Sequence, residues 1–331
     1  MRAHAAVFVA GACLCAAAAH AEQLSILEEN DSLFFTSDKH YTQGIRGAYL
    51  SDPLSPADWR YQSFDPVSPL FPDAAGSERR FDWIVLGQSI FTPANLTLNP
   101  PDPRDRPYAG WLYTGGALLQ ENGNQLTNLE LLLGVVGPVA LGRQVQNDWH
   151  QFIVGIPGGQ GWHGQLKNEP GLAMSYGKHW RVRLADLGGV GVDVVPSAGV
   201  TAGNVFTYGA VGGVLRIGQD LNADYGPARI RPAPSGTDWF DAAGMTEPLG
   251  WYVFTGAEGR AVARNIFLDG NSFASSAHVE KKPLVGDLTA GAALFWQDDV
   301  RLDIGLLTRS KEFYGQQGED SYAGFRFAFG L

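Results

Sequence analysis

Two stretches of the chain combine side chains that could act as a base, a positioning amide and a metal ligand. In "GRQVQNDWHQFIVG", residues 142–155, Val145, Trp149 and Phe152 recur at helical spacing. Gln146 and His150 are also four apart, so they stack on an adjoining face of the same helix. An imidazole that titrates near neutrality suits a general base, with Gln146 positioning it or the substrate. The bland alternative is a loop helix that covers a barrel and leaves His150 in solvent. The second stretch, "EENDSLFFTSDKHYTQG", residues 28–44, gathers Asn30, Asp31, Asp38, His40 and Thr42. Asp31 is a hard oxygen ligand of the kind Ca²⁺ takes, with carbonyls and water to complete the shell, although the spacing is not that of an EF-hand. Asn30 and Asp31 face opposite sides of a regular strand. They converge only if the strand ends or bulges there. The chain holds no G-x-S-x-G, H-E-x-x-H, P-loop or C-x-x-C motif. His163, His179 and His278 have no supporting pattern, and Asp38 and His40 read as solvated loop residues.

The elements that must carry these groups are strands. In "YAGFRFAFGL" Phe325, Phe327, Phe329 and Leu331 share one face, and Gly324, Arg326, Ala328 and Gly330 the other. Val300, Leu302, Ile304 and Leu306 alternate in the same way, and the polar "RSKEFYGQQGEDS" joins the two as a long hairpin loop. Further strands are expected at 22–30, 45–50, 81–91, 109–119, 127–136, 171–183, 190–199, 204–217, 250–263 and 285–297. The total is about twelve, with short turns at one end and long loops at the other. The expectation is an all-β, antiparallel transmembrane barrel of about twelve strands, with one short helix carrying His150. A water-soluble β-sandwich or barrel would instead turn its greasy faces inward.

Composition fits export and a membrane. Arg2, the small apolar run Ala5 to Ala19 and Ala19-His20-Ala21 read as a secretory leader cleaved after Ala21, which leaves 22–331 as one domain. Both cysteines, Cys13 and Cys15, fall in that leader, so the mature chain has none to form a disulfide. Without Arg2 it has 23 basic and 34 acidic residues, a formal charge of −11, which argues against nucleic acid as a partner. Mean hydropathy is −0.10, and no apolar run beyond the leader would span a bilayer as a helix. From Glu22 to Asp31 is the length of one tilted spanning strand. With a periplasmic N-terminus, Asn30 and Asp31 then reach the headgroups of the outer leaflet.

"ENDSLFF", "DKHYTQGIRGAYLS", "RDRPYAGWLYTG" (104–115), "GRQVQNDWHQFIVG" and "QGWHGQLKNEP" (160–170) stand in an order and spacing that resembles the outer-membrane lipid A 3-O-deacylase family of the LpxR type. The likeness covers about 22–331. It implies an enzyme integral to the bacterial outer membrane; a monomer is the separate expectation. The implied reaction is calcium-dependent hydrolysis of the 3′-linked acyloxyacyl ester of lipid A, and the implied partners are lipopolysaccharide and other outer-membrane lipids. It assigns His150 as the catalytic base and Asp31 as the metal ligand. Asn30, Thr42 and Gln146 orient water, metal shell or substrate.

Two departures stand out. The family's acid about two turns beyond the helical His has no counterpart in "IVGIPGG", where Ile156 is nearest. A Lys-Arg pair for the lipid phosphate is also missing, and Arg104 and Arg106 are the nearest substitutes. Trp162 reads as an interfacial anchor or a substrate contact. Two other classes stay open: an outer-membrane phospholipase, and a non-enzymatic barrel or pore.

Overall fold

The computed structural model describes residues 22–32, 39–155, 157–230, 237–242, 245–296 and 300–331. The expected leader 1–21, Leu33 to Phe35, Asp38 and Ile156 lie outside the described residues. Thirteen strands form: β1 (Gln23–Asn30), β2 (His40–Leu50), β3 (Glu78–Thr92), β4 (Ala109–Asn122), β5 (Gln125–Val136), β6 (Glu169–Trp180), β7 (Val182–Asp186), β8 (Gly191–Ala202), β9 (Phe206–Gly218), β10 (Leu249–Asn265), β11 (Leu284–Trp296), β12 (Val300–Arg309) and β13 (Asp320–Gly330). Among the described residues three short α-helices accompany them, α1 (Trp59–Gln62), α2 (Gly142–Trp149) and α3 (Ile266–Asp269). All strand pairs are antiparallel. β1 pairs with β13 and β6 with β8, which closes twelve strands into a barrel with no free edge. β7 is the thirteenth, a short strand on the edge of β8. The run expected at 171–183 breaks at Arg181, whose N–H turns to the Asn124 carbonyl at 2.7 Å.

The alternation seen in the sequence is a membrane alternation. On β13 Phe325, Phe327 and Phe329 face outward, and Arg326 between them is buried in the lumen. On β12 Leu302, Ile304 and Leu306 face outward, while Arg301 and Asp303 are buried. A soluble barrel would bury the phenylalanines and expose the arginines. Here the hydrocarbon solvates the outside, so charge has to be neutralised inside.

That neutralisation fills the lumen. The start of β1 and the end of β13 lie at one end of the barrel, here the terminal end. The connections after β1, β3, β5, β8, β10 and β12 lie at the other, the loop end. Short turns were expected throughout the terminal end, but the β2–β3 and β9–β10 connections there are long. The second folds back inside as a plug, with Leu221, Ala223, Tyr225, Ala228, Ile230 and Trp239 all buried. Asp224 of the plug pairs with Arg216 and with Arg301 (2.6 Å), and accepts from the Tyr252 hydroxyl at 2.8 Å. Asp238 pairs with Arg46 and with Arg326 (2.8 Å). Removing one member of such a buried pair costs about 3–5 kcal/mol, because the partner stays charged out of water. Within the plug the Ile230 N–H donates to Glu29 at 3.2 Å, behind the end of β1.

Candidate active site

The first half of the site is built where β1 stops. Glu28 pairs with Ile45 and Asn30 with Gln43 across the β1–β2 ladder. Ile26 and Ile45 are exposed to the outside, so Asn30 and Gln43 stand on that same outer face. Beyond Asn30 the chain turns. The Asn30 Oδ1 accepts from the Ser32 N–H at 2.8 Å and from its hydroxyl at 2.7 Å. Asp31 is buried; its N–H donates to the Thr42 carbonyl at 3.3 Å, and its Oδ2 accepts from the Lys39 N–H at 2.6 Å.

Thr42 is brought out by a bulge. Tyr41 pairs with Phe91 and Gln43 with Ile90, which leaves Thr42 as the extra residue between them. Its hydroxyl meets that of Thr92 at 2.7 Å, and Thr92 shares the outer face with Gln88 and Ile90. Tyr41 is thereby turned into the lumen, where its ring lies against Tyr322 at 5.0 Å and Phe91 at 5.5 Å. The strand end and the bulge are the two devices needed to bring Asn30, Asp31 and Thr42 together.

The second half is laid onto the outside of β3 and β4. The Gln88 amide donates to the Ala140 carbonyl at 2.6 Å. Leu141 at φ 61° then starts α2. A Cβ on Gly142 would lie 3.2 Å from the Gly110 Cα and 3.1 Å from Trp162, so glycine is what lets α2 sit flush on β4. Ile90 packs with Tyr108 and Trp162, and Val145 and Leu96 close over them. Because Ile90 is paired with Gln43, this cluster puts α2 beside the Asn30–Thr42 half.

The helix runs as α-helix to Trp149 and continues as a π-turn over His150–Val154. Its buried face is Gly142, Gln146 and His150, while Phe152 is 73% exposed. The reading that left His150 in solvent is thus overturned: it is 3% exposed. Its Nδ1 lies 3.2 Å from the Pro157 carbonyl. A carbonyl can only accept, so Nδ1 donates in this bond; in the neutral ring the lone pair is then on Nε2, the form a base needs. Trp162 is fully buried, lies tilted against Tyr108 with ring centres 4.7 Å apart and donates its indole N–H to Gln146 Oε1 at 2.8 Å. This corrects its reading as an interfacial anchor. The Gln146 Nε2 is buried and has no hydrogen-bond partner among the described residues. Trp162 opens a single 3₁₀ turn, Trp162–Gly164.

The two arginines part company. Arg104 has a side chain 88% exposed, held by Asp102 at 2.8 Å, and hydrogen bonds from Arg104 bring the Asp102 pKa down to about 2. Arg106 is buried on the lumen side, over the Phe91 ring at 5.0 Å and bonded to Glu312 at 3.2 Å, so it is not presented to a lipid phosphate outside. His40, expected in solvent, is buried between Asp105 and Asp320. Its place inside "DKHYTQG" was the available signal, though its partners lie far along the chain. Among the described residues no three His, Cys, Asp or Glu side chains converge as a metal set. Beside Asp31 the structure places the Thr42 carbonyl, which accepts from the Asp31 N–H; carboxylate and carbonyl oxygens are the donor type that a hard cation takes.

The family model described as "Outer membrane protein LpxR" matches residues 4–331. No curated protein matches the chain by sequence. Among solved structures, LpxR from Salmonella typhimurium is similar with a TM-score of 0.74 and 22% identity, over 93% of this chain and 100% of that one. The β domain of the Bordetella autotransporter BrkA has a TM-score of 0.42 at 10% identity, over 95% of this chain and 99% of that one. The family match spans the strands, the plug and both halves of the outer-wall site: the chain belongs to the LpxR family of outer membrane proteins.

Proposed function

We propose that this barrel, exported after cleavage behind Ala21, works as a monomer and hydrolyses the 3′-linked acyloxyacyl ester of lipid A in the outer leaflet, with calcium. The observation that carries the reading is the position of the buried Gln146–His150 face, laid against the outside of the barrel at its loop end beside Asn30 and Thr42. A lumenal enzyme would meet a soluble metabolite; an outer-wall site meets the acyl ester of a neighbouring lipid.

His150 Nε2 takes a proton from water, and the oxygen attacks the ester carbonyl carbon. The Pro157 carbonyl holds the ring in the tautomer that can do so. Gln146, fixed through Oε1 by Trp162, offers its Nε2 hydrogens to the oxygen that becomes negative. Asn30 and Thr42 hold the opposite side of the substrate or the water. Asp31 with neighbouring carbonyls would hold calcium, which when bound polarises an ester carbonyl. His150 then returns the proton to the leaving hydroxyl. No serine is needed as a nucleophile.

The test is the lipid A mass spectrum of cells with and without the protein, alongside His150→Ala and a calcium chelator. Loss of the 3′-acyloxyacyl group that requires both His150 and calcium supports the reading. Continued deacylation by folded His150→Ala would overturn the base assignment. A second reading is a glycerophospholipid ester, and lysophospholipid in the same spectra would reveal it.

A further inference from the structure

His40 sits where the β1–β2 loop enters β2, with a left-handed backbone at φ 66° that a side chain of this size rarely adopts. Its ring is 1% exposed and stands edge-on to Phe313 at 5.4 Å. Nδ1 lies 2.7 and 2.9 Å from the two oxygens of Asp320, in the β12–β13 connection's strand end. Nε2 lies 3.3 Å from Asp105 Oδ1, in the β3–β4 connection. With a carboxylate at each nitrogen both positions donate, so the ring is an imidazolium that joins three connections at the loop end. Each carboxylate is itself anchored. Asp105 accepts from the Ala94 N–H at 2.8 Å, and Asp320 from the Gln316 amide at 3.0 Å. Lys39 Nζ lies 3.7 Å from Asp320. The residue before His40 supplies the N–H that meets Asp31 at 2.6 Å.

We propose that His40 is a positioning residue for the Asp31 half of the site. Its two carboxylate bonds offset the unfavourable φ, and that backbone turn delivers the Lys39 N–H to Asp31. His40 touches neither the substrate nor the reacting atoms; it acts through Lys39. The kinetic part of the test rests on the hydrolase reading above, and the structural part does not.

The experiment compares purified, folded wild type with His40→Ala, His40→Asn, Asp105→Asn and Asp320→Asn. It reads exchange of the Lys39 amide by NMR, together with kcat and KM on lipid A. Asn tolerates positive φ and keeps one hydrogen bond, so it is the conservative variant. Loss of the buried charge-assisted bonds in His40→Ala should speed Lys39 exchange and lower kcat by about 10-fold or more, with KM within about twofold. His40→Asn should recover most of both. The two aspartate variants should fall between, and they decide the matter if His40→Ala does not assemble. Unchanged Lys39 protection in folded His40→Ala or in both aspartate variants overturns the proposal. So does a loss carried wholly by KM. If wild type leaves lipid A intact, the functional reading fails and Lys39 exchange alone decides the role of His40.

Discussion

Trp162→Phe tests how the helical half of the site works. The substitution keeps a ring on Tyr108 and removes the indole N–H, the one donor to Gln146 Oε1 among the described residues. Gln146 is buried and its Nε2 has no partner among the described residues, so the amide then loses its fixed orientation. Leaving a buried acceptor unsatisfied costs about 1–3 kcal/mol. If about 1.4 kcal/mol of that is lost in the transition state, kcat falls about tenfold. Gln146→Ala, which deletes an oxyanion donor outright, should lower kcat by about 10²–10³. The decisive measurement is the double-mutant cycle on purified protein in detergent, followed by mass spectrometry of released acyl chains. Because Trp162 acts through Gln146, Trp162→Phe should cost almost nothing further in the Gln146→Ala background, a coupling of about 1–2 kcal/mol. Equal costs in both backgrounds would refute this reasoning. So would a rise in KM at constant kcat, which would mean that the indole meets the lipid directly.

Gly142→Val should lower kcat about 10- to 100-fold while the barrel still assembles, because its side chain would push α2 off Gly110; tryptophan fluorescence of Trp149 and Trp162 reports the displacement. Asp105 is affected by burial, which raises its pKa, but the His40 bond and the Ala94 N–H outweigh that and hold it below the usual carboxylate value. A lowered folded pKa gives stability that is complete above the unfolded value of about 3.9 and lost as pH falls through the folded one. Amide exchange of the β3–β4 connection, corrected for intrinsic rate, should therefore stay flat from neutrality to about pH 5 and accelerate in stronger acid. Asp105→Asn should already show the fast exchange at neutral pH. In planar bilayers the plugged lumen should pass no steady porin-like current, and such a current would refute the assignment of the Asp224 and Asp238 clusters as closed.

The wall of this barrel was legible because the membrane enforces period two over ten residues at a time. Phe325, Phe327 and Phe329 announce β13 without any tertiary information, and so does the alternation of β12. The plug was not legible. Its sequence, around Leu221 to Ile230 and Asp238 to Phe240, reads as an ordinary polar connection with scattered aromatics. Its place is decided by partners on other strands. Arg46, Arg216, Arg301 and Arg326 each look like a solvated residue until the barrel turns them inward and leaves them in need of Asp224 or Asp238.

The site divides along the same physical line. Gln146 and His150 were readable from one turn of helix, since i and i+4 share a face whatever surrounds them. Which face is buried was not readable, because the usual rule assumes water outside. Phe152 is exposed and Gln146 buried. The reason lies in the wall beneath: Gln88 on β3 binds Ala140 and Ile90 packs on Trp162, so the polar face of α2 meets protein at an end of the barrel where lipid begins. The same reasoning explains the misreading of His40. A histidine among Asp, Lys, Thr and Gln looks solvated when only its neighbours in sequence are weighed. Its true neighbours, Asp105 and Asp320, come from two other connections, and only barrel closure brings those to one end. Groups whose chemistry depends on local period are visible in such a chain. Groups whose chemistry depends on closure, Arg106 and Trp162 among them, acquire a role only when the twelve strands fix what each one touches.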